Sequence, residues 1–130
     1  MLPPAVQGFY DAYNRHDALL LDAVLAPGYR GHVNGRDILG PAAARQVVAG
    51  FLAAFPDCAY TVLDGVREAD RTAVRWEFMG THKGTFAERP ATGRRVKATG
   101  LTLFRVEGGR IAELWSHWDA PGLVAQLAAP

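Results

Sequence analysis

The chain has 130 residues, a formal net charge of +1 and a single cysteine, Cys58. That length suits one domain (1–130) with a buried core, and 49% hydrophobic against 21% charged residues excludes a disordered chain. The near-neutral charge gives no grip on nucleic acid or an anionic membrane, one cysteine excludes an internal disulfide, and no apolar run approaches the ~20 residues of a membrane helix.

The N-terminus, MLPPAVQGFYDAY, lacks the basic-then-apolar layout of a secretion signal, so a cytoplasmic protein is expected. Pro3 and Pro4 suit a helix start, and Val6, Phe9, Tyr10 and Tyr13 then fall on one helical stripe. NRHD interrupts it, with Asp17 placed to cap a second short helix through ALLLDAVLA that Pro27-Gly28 stops. YRGHV (29–33) reads as a short strand and NGRDILG as a polar loop. Pro41 opens a helix whose buried stripe is Val47, Val48, Phe51, Leu52 and Phe55, and Pro56 ends it.

From residue 58 the pattern alternates, and four strands follow: CAYTVLDGVRE, RTAVRWEFMGTHKG, RRVKATGLTLFRV and RIAELWSHWD. EADR and EGGR are hairpin turns, the second because Gly108-Gly109 permits positive φ. FAERPATG is a loop, and PGLVAQLAA (121–129) closes the chain as a short helix. Helices segregated from an antiparallel meander imply an α+β domain, in which a curved sheet wraps N-terminal helices as a cone around an apolar cavity.

Several stretches resemble SnoaL-like polyketide cyclases of the nuclear-transport-factor-2-like superfamily of cone-shaped folds. They are FPD (55–57), VRWEFMGTHKGTF (74–86), PATGRRV (90–96), FRVEGGRIAELW (104–115), then Asp119 and GLVAQL (122–127). The resemblance implies intramolecular aldol closure of a polyketide ester without metal or organic cofactor, in small-molecule metabolism. It implies an acid/base role for Asp119, which follows the last strand, and matches His82 in the Gly-Thr-His segment and His32 after the first strand. The strand over 94–106 departs from it by carrying no histidine or acid.

Aldol closure removes a proton beside a carbonyl and steers the enolate onto a second carbonyl. On a strand Glu113, Trp115, His117 and Asp119 share one side. An apolar pocket disfavours a charged carboxylate and makes it a better base, and the tryptophans with Phe78 would supply those surroundings. His117 or His82 would then donate to the developing oxyanion. Substrate contacts are expected from His32, Trp76, Phe78, Trp115 and Tyr13. A plainer role stands beside each: Asp119 fits as N-cap of the last helix, His82 lies in the rim or the pocket, Trp76, Trp115 and Tyr13 suit core packing, and Glu113 suits an ion pair with Arg75 or Arg105. His117-x-Asp119 with distant His32 and His82 matches no compact metal motif, and neither a phosphate loop nor a Ser or Cys nucleophile motif occurs. The expected partner is an apolar small molecule, with homodimerisation common for such cones. A dehydratase or isomerase using the same pocket, or a non-catalytic binding or dimerisation module, would fit the same residues.

Overall fold

Prolines open both long helices of the computed structural model, which describes residues 2–128. Helix α1 spans Pro4–Asn14 and α2 spans Pro41–Ala54, and in the first turn of each the missing proline N–H costs nothing. Each helix buries one stripe, Ala5, Val6, Tyr10, Ala12 and Tyr13 on α1, and Ala44, Val48 and Ala54 on α2. Between them the expected second helix shrinks to a 3₁₀ turn, Ala18–Ala23, capped through the Asp17 carboxylate and Leu19 N–H at 3.0 Å.

Strand β1, Leu25–Val33, then runs straight through Pro27-Gly28, because that stretch lies at a register irregularity where few ladder bonds are required. NGRDILG is no loop. Asn34 and Gly35, with φ of 48° and 80°, turn the chain into strand β2, Arg36–Leu39, paired antiparallel with β1. Strands β3 (Ala59–Glu68), β4 (Arg71–Thr81), β5 (Arg95–Glu107) and β6 (Arg110–Trp118) follow, and α3 (Ala120–Ala128) closes the described chain; residue 129 of the expected last helix lies outside the described residues.

The sheet order is β2-β1-β6-β5-β4-β3. Four of its pairings are antiparallel, while β1 runs parallel to β6. Irregularities between Val62 and Asp64 and between Arg105 and Val106 help to bend it into an unclosed, curved sheet. Its inward side chains alternate as the pleat demands: Val74, Trp76 and Phe78 on β4, Thr102 and Phe104 on β5, Leu114 and Ser116 on β6. The helices pack onto this side, with Phe9 edge-on to Phe104 at 5.3 Å and Phe51 edge-on to Phe78 at 6.0 Å. The observed architecture is α+β, a curved sheet wrapped on helices.

Two polar side chains tie loose ends of this frame, and the sequence reading assigned neither a role. Gln126 of α3 accepts from Lys97 N–H at 2.9 Å and donates to Lys97 C=O at 2.7 Å, satisfying the stretch of β5 that β6 leaves unpaired. Asp57, after α2, accepts from the Thr81 N–H and the Thr81 hydroxyl, both at 2.7 Å, and these bonds hold its carboxyl below the usual range. Asp57→Ala is expected to cost about 1–2 kcal/mol in urea unfolding at neutral pH, since two donors lose their acceptor. That difference from wild type is present above the ordinary carboxylate pKa and fades as pH falls through the lowered folded value. A neutral-pH midpoint equal to wild type would show the tie to be idle.

Candidate binding cavity

The space between the helices and the sheet is an aromatic-walled cavity of about 70 Å³. Phe9, Tyr10 and Tyr13 of α1 and Val47, Val48 and Phe51 of α2 form one wall. Trp76, Thr102, Leu114, Ser116 and Trp118 of the sheet face them, with Tyr29, Val33 and Ile38 from the β1–β2 end and Tyr60 from β3. Each sheet residue is there by parity, because β4, β5 and β6 turn alternate side chains inward.

A run of hydrogen bonds crosses the cavity floor. Trp76 Nε1–H donates to Thr102 Oγ1 at 2.9 Å, and Thr102 donates onward to Ser116 Oγ at 2.9 Å. Thr102 and Ser116 are register partners on β5 and β6, and Trp76 reaches over from β4, where its neighbour on β5 is the side-chain-free Gly100. An indole N–H can only donate, so Thr102 accepts from Trp76, and with Thr102 donating onward Ser116 keeps a hydroxyl proton that has no other acceptor among the described residues. Tyr10 Oη stands beside Thr102, buried and without a hydrogen-bond partner. Burial pushes the phenols of Tyr10, Tyr13, Tyr29 and Tyr60 up, so they are neutral donors and not bases. The cavity thus offers unspent O–H donors in apolar surroundings, and its lining includes no carboxylate or imidazole.

Of the expected site residues, Tyr13 and Trp76 line this cavity, and the others lie elsewhere. Glu113, Trp115, His117 and Asp119 do share one side of β6, but it is the convex, outer side; Leu114, Ser116 and Trp118 hold the inner one. Asp119 is exposed and its carboxylate accepts from Gly122 N–H at 2.9 Å, while Leu123 N–H bonds to its C=O at 3.1 Å. That is an N-cap of α3, outside the apolar cavity. His117 is exposed and meets Asp119 in a shallow depression open to solvent, beside Arg75 and Leu101. Asp119→Asn, which keeps the accepting oxygen, is expected within about 0.5 kcal/mol of wild type, and Asp119→Ala about 1 kcal/mol less stable, read by urea unfolding. Equal losses in both would remove the cap from the account.

His82 lies past the end of β4, where the chain turns and its N–H and C=O bond to Arg94 C=O and Gly93 N–H, each at 2.8 Å. It is fully buried against Phe55, with ring centroids 5.7 Å apart, and is absent from the cavity wall. Thr92 N–H donates to its Nδ1 at 3.2 Å, so the neutral ring carries its proton on Nε2, which has no partner. Phe78 packs between Phe51, Phe55 and Tyr60 behind the wall. Trp115 lies on the convex face, stacked on His32 at 5.8 Å with the Arg71 guanidinium 5.4 Å from its ring centre.

His32 is on that face too. Its Nδ1 bonds Asp37 at 2.8 Å and its Nε2 bonds Glu113 at 2.7 Å, and both bonds raise its pKa, the Asp37 bond more. Glu113 takes Arg30 at 3.1 Å and Arg105 at 3.2 Å besides, so its expected pairing with Arg105 is present, while Arg75 pairs with Asp64 at 3.0 Å. Sequence reasoning missed Thr102 and Ser116 as cavity residues, while Trp118, expected among the apolar surroundings, does line the cavity, and Tyr10, whose hydroxyl could reach a cavity but was placed first in the core, lines it too. Among the described residues no three His, Cys, Asp or Glu side chains are grouped to hold a metal ion, and no helix is long and apolar enough to cross a membrane.

A sequence profile of SnoaL-like polyketide cyclases matches residues 4–127. The chain is similar in structure to TsrD from Streptomyces laurentii, at a TM-score of 0.87 and 32% identity over 97% of this chain and 93% of that one. It is similar to IdmH from Streptomyces antibioticus, at 0.83 and 32% over 96% of each chain. A Catenulispora acidiphila protein of ketosteroid isomerase-like fold matches at 0.84 and 17%, over 100% of this chain and 96% of its own. No curated protein matches the sequence.

Proposed function

The chain belongs to the SnoaL-like polyketide cyclase family, and from that footing we propose that it binds an apolar, carbonyl-bearing small molecule in the cavity and promotes intramolecular aldol closure by stabilising the enolate oxygen. The observation that carries the reading is the directed run Trp76, Thr102, Ser116, ending in an unspent hydroxyl inside an aromatic cavity. A substrate carbonyl accepting from Ser116 relieves that group's missing bond, and the bond strengthens as negative charge develops on the oxygen. Tyr10 offers a second donor, and the aromatic walls exclude water and hold a flat carbon skeleton. A methylene between two carbonyls already enolises, so its enol carbon attacks the second carbonyl while Ser116 steadies the enol oxygen. The enol proton passes to the new alkoxide, which closes the step without a base in the wall.

The test is ring closure of a synthetic poly-β-ketone ester, followed by the absorbance of the cyclised product, in wild type and Asp119→Asn. Turnover above the uncatalysed rate in both proteins is expected. If Asp119→Asn abolishes turnover with its fold intact, the proton moves through Asp119 and the cavity reading fails. A second reading, a non-catalytic carrier, is favoured by the lack of a carboxylate or imidazole among the lining residues. It predicts tight ligand binding with no turnover in either protein.

A further inference from the structure

The cavity is closed at one end by its weakest element. Strand β2 is the sheet edge, four residues long, pairs only with β1, and is exposed at every position but Ile38. Ile38 nevertheless lines the cavity, as does Val33 on the other arm of the hairpin. Both are half-buried, as are Val47, Phe51 and Trp118 of the same lining, so the cavity is only partly covered on the side that β2 borders. At the hairpin tip Asn34 exchanges two bonds with the Trp118 backbone, at 2.9 and 3.0 Å, and just past β2 Gly40 N–H bonds Tyr29 C=O at 2.8 Å, so both ends are anchored and the strand between them pairs with β1 alone.

What holds the outer side of that strand is His32. Its ring faces Asp37 of β2 on one nitrogen and Glu113 of β6 on the other. Arg30 of β1 and Arg105 of β5 also hold Glu113, with Glu107 on Arg105, and Arg71 of β4 lies over the Trp115 ring that stacks on His32. An imidazolium donates to both carboxylates, whereas a neutral ring has one proton and leaves one of them without its donor. Glu113 keeps its two arginines in either state, but Asp37 has no other side-chain partner among the described residues. A neutral ring whose one proton stays on Nε2, toward the buried Glu113, leaves Asp37 without a donor, and β2 then keeps only its backbone pairing with β1.

We propose that β2 is the movable wall through which ligand enters the cavity, and that a proton on His32 fastens it shut. This holds for a cyclase and for a carrier alike, since it concerns access and not reaction. The raised pKa of His32 agrees in sign: the fastener is fully present below the ordinary imidazole value, ~6.5, and is lost as pH rises through the higher folded value.

Two measurements on the whole chain test it, from about pH 5 to about pH 9, on either side of the ordinary imidazole value. One is stopped-flow association of the neutral fluorophore N-phenyl-1-naphthylamine. The other is quench-flow hydrogen exchange at the β2 amides, corrected for intrinsic rates, with His32 titrated in parallel by its ring NMR signals. Association is expected to rise, and β2 protection to fall, by about three- to fivefold as His32 loses its proton, the size of a part-exposed ion pair. His32→Gln is expected to show the high-pH behaviour at every pH. Wild-type curves that stay flat while His32 titrates, or a His32→Gln protein that keeps the pH dependence, overturn the fastener. Protection that changes while association does not overturns β2 as the entrance. A protein that binds no fluorophore at any pH also overturns the entrance, and β2 protection then decides the fastener alone.

Discussion

Ser116→Ala is expected to lower kcat for ring closure by about 10²–10³-fold, the usual cost of removing one donor from a developing oxyanion. KM should move little, because the ground-state carbonyl takes a weaker bond than the enolate does. Alanine fits the same inward position on β6, so the fold survives and the loss falls on the final member of the Trp76–Thr102–Ser116 run. It leaves the Thr102 hydroxyl without its acceptor, at about 1 kcal/mol of stability, which urea unfolding separates from the kinetic loss. Thr102→Val is expected to lose turnover as well, by leaving the Trp76 N–H unpaired and Ser116 free to rotate away. Single-turnover absorbance on the poly-β-ketone ester is the readout. A Ser116→Ala protein within about threefold of wild type would remove the serine from the mechanism, being far inside the loss expected of such a donor.

Gly100→Ala is the second large effect. Gly100 sits on β5 opposite Trp76 on one side and Trp118 on the other. A Cβ there would overlap the Trp76 ring and lie 2.7 Å from Trp118 Cβ. Trp118 cannot yield without moving β6, so the Trp76 indole must swing and carry Nε1 away from Thr102. Overpacking of this kind costs about 1–3 kcal/mol. The variant is therefore expected to unfold at lower urea, to change its near-ultraviolet circular dichroism, and to lose turnover together with Ser116→Ala despite touching no substrate. Wild-type stability with an unchanged aromatic spectrum would mean that the strands accommodate the methyl freely.

Much of the frame was legible in residue patterns. The two proline-led helices, the four alternating strands after residue 58 and the Gly108-Gly109 turn are where the periodicities place them, with φ of 59° and 76° at those glycines. Strand β2 was missed although Asn34-Gly35 is a strong hairpin signal, because the strand it opens is short, polar and at an edge. The parallel β1–β6 pairing leaves no local trace, since its partners lie about 80 residues apart in sequence (Arg30 with Glu113). Asp119 was readable both as a cap and as a base, and the cap is what its carboxylate makes.

The sequence by itself determined which side chains travel together: on β6, Glu113 with Trp115 and His117, and Leu114 with Ser116 and Trp118. It could not say which set faces inward. Each set contains an aromatic and a polar residue, and a strand covered partly on both sides shows no clean apolar-in pattern. Only the tertiary structure decided, by packing α1 and α2 against the Leu114 side and leaving the Glu113 side to an ion-pair cluster. That choice buries hydroxyls and one indole N–H in the cavity, where their bonds are directed and unscreened. It sends the Asp119 carboxylate and the His117 ring to the exposed outer side, while the buried Glu113 carboxylate there is met by His32, Arg30 and Arg105.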